Sequence, residues 1–284
     1  MTHEDPDYIK KSREKKKERD RRYRAKYPDR PSEYYAMTRE KQKAQTKEYN
    51  RDRYNNAVDS IRSGHVIDDV KWGKWCDEIK RRAMNNKHSY SEDFTNDVMF
   101  DMMVKGCFYC GDIATTIDRI DSKLEHTLDN CVGCCKGCNK SKSAADLSTF
   151  IRKAYYRVNG KYYDGDADIW FVNKNKPRAA EYKYRAKKQG VPFDLSKEDF
   201  DILINSNCEY CKRSPTTWFG IDKRIPSLGY VLGNVVSCCW DCNNDKSEDD
   251  VETMRVRNEK IVNRVNAGDL LIIDCDKVIL HNGS

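Results

Sequence analysis

The chain has 284 residues, room for about two domains, and 35% of them are charged against 38% hydrophobic. Such a wet composition leaves a thin core for each domain and excludes a large single hydrophobic interior. No apolar run is long enough to span a bilayer and the N-terminus is polar throughout, so neither a membrane span nor a secretory signal is expected. Thirteen cysteines without such a signal point to a reducing compartment and to metal binding rather than disulfides.

The net charge of +7 is unevenly placed, because residues 1–60 hold 18 Lys/Arg against 12 Asp/Glu, a balance of +6. Residues 1–65 therefore read as a basic arm, partly helical or disordered, dotted with Tyr23, Tyr27, Tyr34, Tyr35, Tyr49 and Tyr54. Its Lys and Arg suit a phosphate backbone, and its tyrosines are available for stacking.

Residues 66–158 form a first unit. Trp72, Trp75, Ile79 and Ala83 recur at helical spacing, and Val98, Met99, Met102 and Met103 do so again after the N-cap candidate Thr95. A Cys107-x2-Cys110 knuckle follows, then Ile117-Asp118, Asn130 and Cys135-x2-Cys138-Asn139. Residues 159–178 read as a linker with a Gly160–Asp166 turn. Residues 179–260 repeat the pattern with Tyr182–Lys188, the capped segment from Ser196, Cys208-x2-Cys211, Ile221-Asp222, Asn234 and Cys239-x2-Cys242-Asn243. Asp to Asn is twelve residues in both copies, and Asn to the following Cys is five. An internal repeat of this kind means two copies of one small unit. Each is expected to run helix, capped helix, Cys knuckle, β-hairpin and a helix opening at the second Cys pair. Residues 261–284 read as a short β tail. The fold class is α+β.

Two Cys-x2-Cys pairs can wrap one Zn2+ tetrahedrally with four sulfur ligands and no open position, so two structural zinc ions are expected. Cys134 and Cys238 neighbour proposed ligands and could substitute for them. Cys76, Cys131 and Cys275 read as packing residues.

The order Cys-x2-Cys, Ile-Asp, Asn, Cys-Cys-x2-Cys-Asn-x2-Lys resembles the HNH nucleases of the ββα-metal (His-Me finger) superfamily, in particular the zinc-containing recombination endonuclease VII type and the HNH proteins of large DNA viruses. The resemblance covers about 79–150 and 182–250. It implies two tandem zinc-stabilised ββα-metal units. It also implies Asp118 and Asn139, or Asp222 and Asn243, as ligands of a catalytic Mg2+ or Mn2+ that steadies the scissile phosphate. Asn130 and Asn234 would brace the loop between the strands, and Lys142 and Lys246 would reach phosphate.

The resemblance further implies a general-base His directly after the strand Asp, but Arg119 and Lys223 stand there. Both suit phosphate better than proton abstraction. His126, eight residues after Asp118, is the candidate for a displaced base, and its counterpart is Tyr230. Two functions follow as expectations. One is a metal-dependent endonuclease acting on DNA, double-stranded for preference, with the second unit inactive. The other is a degenerate zinc protein that binds nucleic acid without cutting, or serves as a virion component with protein partners. The expected location is the cytoplasm or nucleus of a host, or the virion.

Overall fold

The computed structural model describes residues 32–86, 88–160, 169–247, 249–273 and 277–279, with isolated positions before residue 32. Lys161–Asp166 of the expected linker turn, most of the arm before Ser32, and Cys275 lie outside the described residues. The chain divides into two compact units, Met1–Asn55 and Asn56–Ser284.

The first unit holds most of helix α1 (Ser32–Ser63). Residues 40–52 of α1 are exposed on every face, as expected of a helix with no apolar stripe. Within the second unit the same helix turns apolar, and Ala57, Ser60 and Ile61 are buried. The folded body therefore begins near Asn56, ahead of the boundary at residue 65 that composition suggests.

In the first repeat, α2 (Asp69–Asn85) starts at Asp68, whose carboxylate accepts from the Lys71 N–H at 3.0 Å. Its buried face is the stripe read from the sequence, Trp72, Trp75, Ile79 and Ala83, with Cys76 added to it. Helix α3 (Asn96–Val104) is capped by Thr95 and buries Met99 and Met103. Strands β1 (Thr116–Arg119) and β2 (Cys131–Cys134) pair antiparallel with Ile117 opposite Gly133 and Asp118 opposite Val132. Gly133 is required by close approach, because a Cβ there would lie 2.2 Å from the Met102 carbonyl oxygen. Helix α4 (Lys136–Lys142) then opens on Cys135 as its N-cap.

The second repeat has the same order. Helix α6 (Ala179–Gln189) precedes β3 (Phe193–Asp194) and α7 (Lys197–Asn205), which carries a full capping box between Ser196 and Asp199. Strands β4 (Gly220–Lys223) and β6 (Val235–Cys238) form the hairpin, and β5 (Tyr230–Val231) pairs with β3. Helix α8 (Trp240–Lys246) opens on Cys239.

Two longer helices tie the repeats together. Helix α5 (Leu147–Asn159) follows the first repeat but reaches the second, where Lys153 Nζ lies 2.6 Å from Asp241 and Arg157 donates to the Asp241 carbonyl at 3.1 Å. Helix α9 (Val251–Asn266) follows the second repeat but packs on the first, where Arg264 donates to the Cys107 and Phe108 carbonyls at 3.0 and 2.8 Å. Asp245 is 2% exposed between Arg157 and Arg257, at 3.4 and 3.1 Å. The cysteine helices also touch, through Asn244 Nδ2 on the Lys140 and Ser141 carbonyls. Helix α9 runs to Asn266, so the expected β tail from residue 261 contains its last turn before β7 (Leu271–Ile273) pairs with β8 (Lys277–Ile279). Among the described residues no helix is long and apolar enough to cross a membrane.

Candidate metal centres and nucleic-acid interface

Each repeat brings four thiols together. Cys107, Cys110, Cys135 and Cys138 form one group and Cys208, Cys211, Cys239 and Cys242 the other, with all sulfurs of a group within 4.8 Å of one another. The Cys110–Cys135 and Cys211–Cys239 sulfurs are 3.7 and 3.9 Å apart. Tetrahedral zinc with Zn–S near 2.3 Å needs sulfurs about 3.8 Å apart, so both groups fit a structural zinc ion. Hydrogen bonding from the neighbouring cysteines, Cys110 and Cys211 foremost, holds Cys107 and Cys208 below the ordinary thiol range. The alternative ligands Cys134 and Cys238 lie outside the two groups of four, and each thiol donates to the carbonyl of the next residue at 3.3 Å. Cys76 and Cys131 sit in the hydrophobic core as packing residues.

Asp118 is buried, Asp222 is half-buried, and both are already partnered. Tyr109, inside the first Cys knuckle, donates its hydroxyl to Asp118 Oδ2 at 2.5 Å. Lys142 Nζ lies 3.3 Å from the same oxygen and donates to the Arg119 carbonyl at 2.7 Å. The second repeat builds the same triad, with Tyr210 at 2.6 Å and Lys246 at 3.1 Å from Asp222 Oδ2. Burial pushes the Asp118 carboxyl up against the opposing pull of Lys142. Burial likewise pushes up the Tyr109 and Tyr210 phenols, and both stay protonated as donors.

The expectation that Lys142 and Lys246 reach phosphate is corrected here. Both are 1% exposed and serve as counter-ions of the strand aspartates. Their position one turn into a short helix after a Cys pair points inward, a direction the sequence spacing alone does not fix.

The asparagines divide by task. Asn130 bonds the Asp121 N–H and the Asp121 and Glu125 carbonyls at 2.9–3.0 Å, so it spans the loop between the strands. Asn234 does the same with Ile225 and Gly229. Asn139 Nδ2 donates to Thr116 Oγ1 and the Ile117 carbonyl at 2.8 and 3.2 Å, which fixes its amide orientation and turns Oδ1 away from the strand. Gly220 replaces Thr116 in the second repeat, so Asn243 has no hydroxyl there to bond, and it is exposed.

A cleft of about 370 Å³ opens between α2, β1 and α4 of the first repeat. Asp118, Asn139 and His126 all line it, together with Arg82, Arg119, Lys136 and Lys140. His88 lines it too, a residue that the motif does not single out because it precedes the knuckle by nineteen positions. Arg119 donates to the Leu124 carbonyl at 2.8 Å and to His88 Nδ1 at 3.0 Å, so it holds the loop at the edge of the cleft. His126 Nδ1–H donates to the Ser89 carbonyl at 3.2 Å and the ring stacks on Tyr90 at 4.1 Å. Burial, helped by Arg119, lowers its pKa to about 4. The imidazole is therefore neutral at pH 7, with its lone pair on Nε2.

The corresponding cleft of the second repeat is about 650 Å³ and is lined by Asn243, Arg185, Gly220 and Trp240, with Asn173, Asn175, Lys176 and Arg178 along one side. Asp222 is not among its lining residues. Lys223, half-buried, donates to Gln189 Oε1 at 2.7 Å and lies over the Tyr230 ring, and burial lowers its pKa.

No family model matches the chain, and no solved structure matches it. An uncharacterized protein of Acanthamoeba polyphaga mimivirus is 28% identical over 218 residues, covering 73% of this chain. The chain spans 40% of the length of that viral relative.

Proposed function

We propose that the chain is an HNH-like zinc protein that binds double-stranded DNA without cutting it. The observation that carries this reading is the lysine sealed against each strand aspartate, Lys142 on Asp118 at 3.3 Å and Lys246 on Asp222 at 3.1 Å. A nuclease of the resembled type needs that carboxylate for a divalent cation. Here an ammonium and a phenol already satisfy one of its oxygens, and releasing the lysine would strand a buried charge. The residue after the Asp is a cation in both copies, so the expected base is missing as well.

Binding is supported by the rim of the first cleft. Its lining carries Arg82, Arg119, Lys136 and Lys140, and its one carboxylate, Asp118, is neutralised by Lys142. Lys136 and Lys140 are exposed on successive turns of α4, flanking Asn139, in the arrangement that backbone phosphates recognise. The basic arm adds non-specific, salt-sensitive attraction.

A second reading is a nuclease confined to the first repeat. One observation favours it: Asp118, Asn139 and a neutral His126 line a single cleft. Incubating supercoiled plasmid with the zinc-loaded protein and Mg2+ or Mn2+ separates the two. The binding reading expects retarded but intact plasmid. Nicking that disappears in Asp118→Ala would establish the nuclease.

A further inference from the structure

The two clefts occupy the same place in their repeats but present different chemistry. At the first position of the helix after the cysteine N-cap, the first repeat has Lys136 and the second has Trp240. Trp240 is 47% exposed and lines the second cleft. Phe171, also 47% exposed, lies against it with ring centroids 5.0 Å apart. Two large aromatic rings held side by side in solvent are costly unless something covers them.

This pair is rigidly mounted. The Phe171 N–H donates to Asp241 Oδ2 at 2.8 Å. Its neighbour Trp170 is 6% exposed beneath the Arg213 guanidinium at 4.1 Å. Asn173 is stapled to the loop before β4 through the Trp218 carbonyl at 2.7 Å and Thr217 Oγ1 at 3.0 Å. The cleft beside the pair is lined by Lys176, Arg178 and Arg185 against one carboxylate, Glu181, which Arg178 and Arg185 share at 2.5 and 3.9 Å. Its 650 Å³ lies within the roughly 300–1,000 Å³ typical of ligand pockets.

We propose that the second cleft binds unpaired bases of a single-stranded nucleic acid, stacking them on Trp240 and Phe171 while Arg178 and Arg185 meet the adjoining phosphates. The proposal rests on the nucleic-acid reading above and deepens it: the first repeat grips backbone and the second takes bases. Exposed aromatics with nearby guanidinium groups are the usual platform for single strands, because every base has a π face. In the first repeat the lysine at the equivalent place offers charge but no ring.

Trp240 is also a reporter, being the most exposed of the five tryptophans, with Trp218 half-buried and Trp72, Trp75 and Trp170 buried. Full-length, zinc-loaded protein should show quenching of tryptophan emission on addition of a fifteen-nucleotide oligo-dT. Trp240→Ala should weaken that binding about 5- to 150-fold, the span of one lost base stack. Trp240→Phe should keep affinity close to wild type while losing most of the signal, and anisotropy of a labelled oligonucleotide reads both variants. Two zinc ions per chain in each variant would show that the fold is intact. Unchanged affinity in Trp240→Ala would overturn the proposal, as would an oligo-dT that leaves wild-type emission unaltered. Binding of a labelled duplex is measured in the same samples. Duplex binding without oligo-dT binding removes this inference alone, whereas failure to bind either removes the nucleic-acid reading with it.

Discussion

The Tyr109 hydroxyl donates to Asp118 across 2.5 Å, and Tyr210 repeats the bond to Asp222 at 2.6 Å. Each tyrosine comes from inside a Cys-x2-Cys knuckle and each aspartate from the first strand of the hairpin. With Lys142 or Lys246 as third member, the triad locks knuckle, hairpin and cysteine helix into one piece. On the binding reading proposed above, it gives the most motif-like carboxylate of each repeat a structural role.

Breaking that lock from one side should be expensive. Asp118→Ala leaves Lys142 buried without its counter-ion and should cost about 3–5 kcal/mol in urea denaturation of the zinc-loaded protein. Tyr109→Phe removes one donor and should cost about 1–3 kcal/mol. Pairing Asp118→Leu with Lys142→Met should recover most of the loss, because no charge is then left buried. A near-neutral Asp118→Ala would mean that the lysine finds solvent.

The zinc content should be two per chain by elemental analysis, one for each group of four thiols. Cys138→Ser should release one ion and Cys242→Ser the other. Either loss should also loosen the opposite repeat, because α9 anchors on the Cys107 carbonyl and α5 on the Cys242 sulfur, with Arg157 Nε at 3.5 Å. Hydrogen exchange would locate the change. Protection lost only in the mutated repeat would contradict the interlocked arrangement.

His126 gives a pH dependence. Its pKa falls from 6.5 to about 4 on burial, so the unfolded chain takes up the proton more readily. The stability it contributes is present above about pH 6.5 and is lost as pH falls towards 4, by up to about 3 kcal/mol. His126→Phe keeps a ring against Tyr90 and should flatten the wild-type stability curve in that window. Identical curves would place the imidazole in water.

Removing residues 1–55 deletes 18 Lys/Arg and 11 Asp/Glu, a balance of +7 that equals the whole net charge. The truncated protein should bind duplex DNA more weakly and with a shallower dependence on salt. The cut is placed at Asn55 because Ala57 and Ile61 are buried in the folded body. An unchanged salt slope would assign the phosphate contacts to the first cleft alone.

Much of the architecture was legible in the sequence because it rests on local rules. The Trp72–Ala83 stripe, the Thr95 and Ser196 caps and the Cys spacings each act within a few residues, and the structure forms the corresponding elements there. The fates of Lys142 and Lys246 were not legible, because whether a lysine one turn into a helix faces phosphate or an aspartate depends on how the helix rolls against its hairpin. The exchange of α5 and α9 between repeats was hidden for the same reason: nothing local to Lys153, Arg157 and Arg264 marks Asp241, Asp245 and Cys107 as their partners, which only tertiary packing supplies. His88 escaped notice because nothing in the repeat marks its position.

Manganese binding to the zinc-loaded protein, followed by electron paramagnetic resonance, tests most directly whether the strand carboxylates are already taken. With Lys142 and Lys246 seated on Asp118 and Asp222, free Mn2+ should titrate as if no tight protein site were present. One tightly bound Mn2+ that is lost in Asp118→Ala or in Asp222→Ala would contradict the account and return that repeat to metal-dependent chemistry.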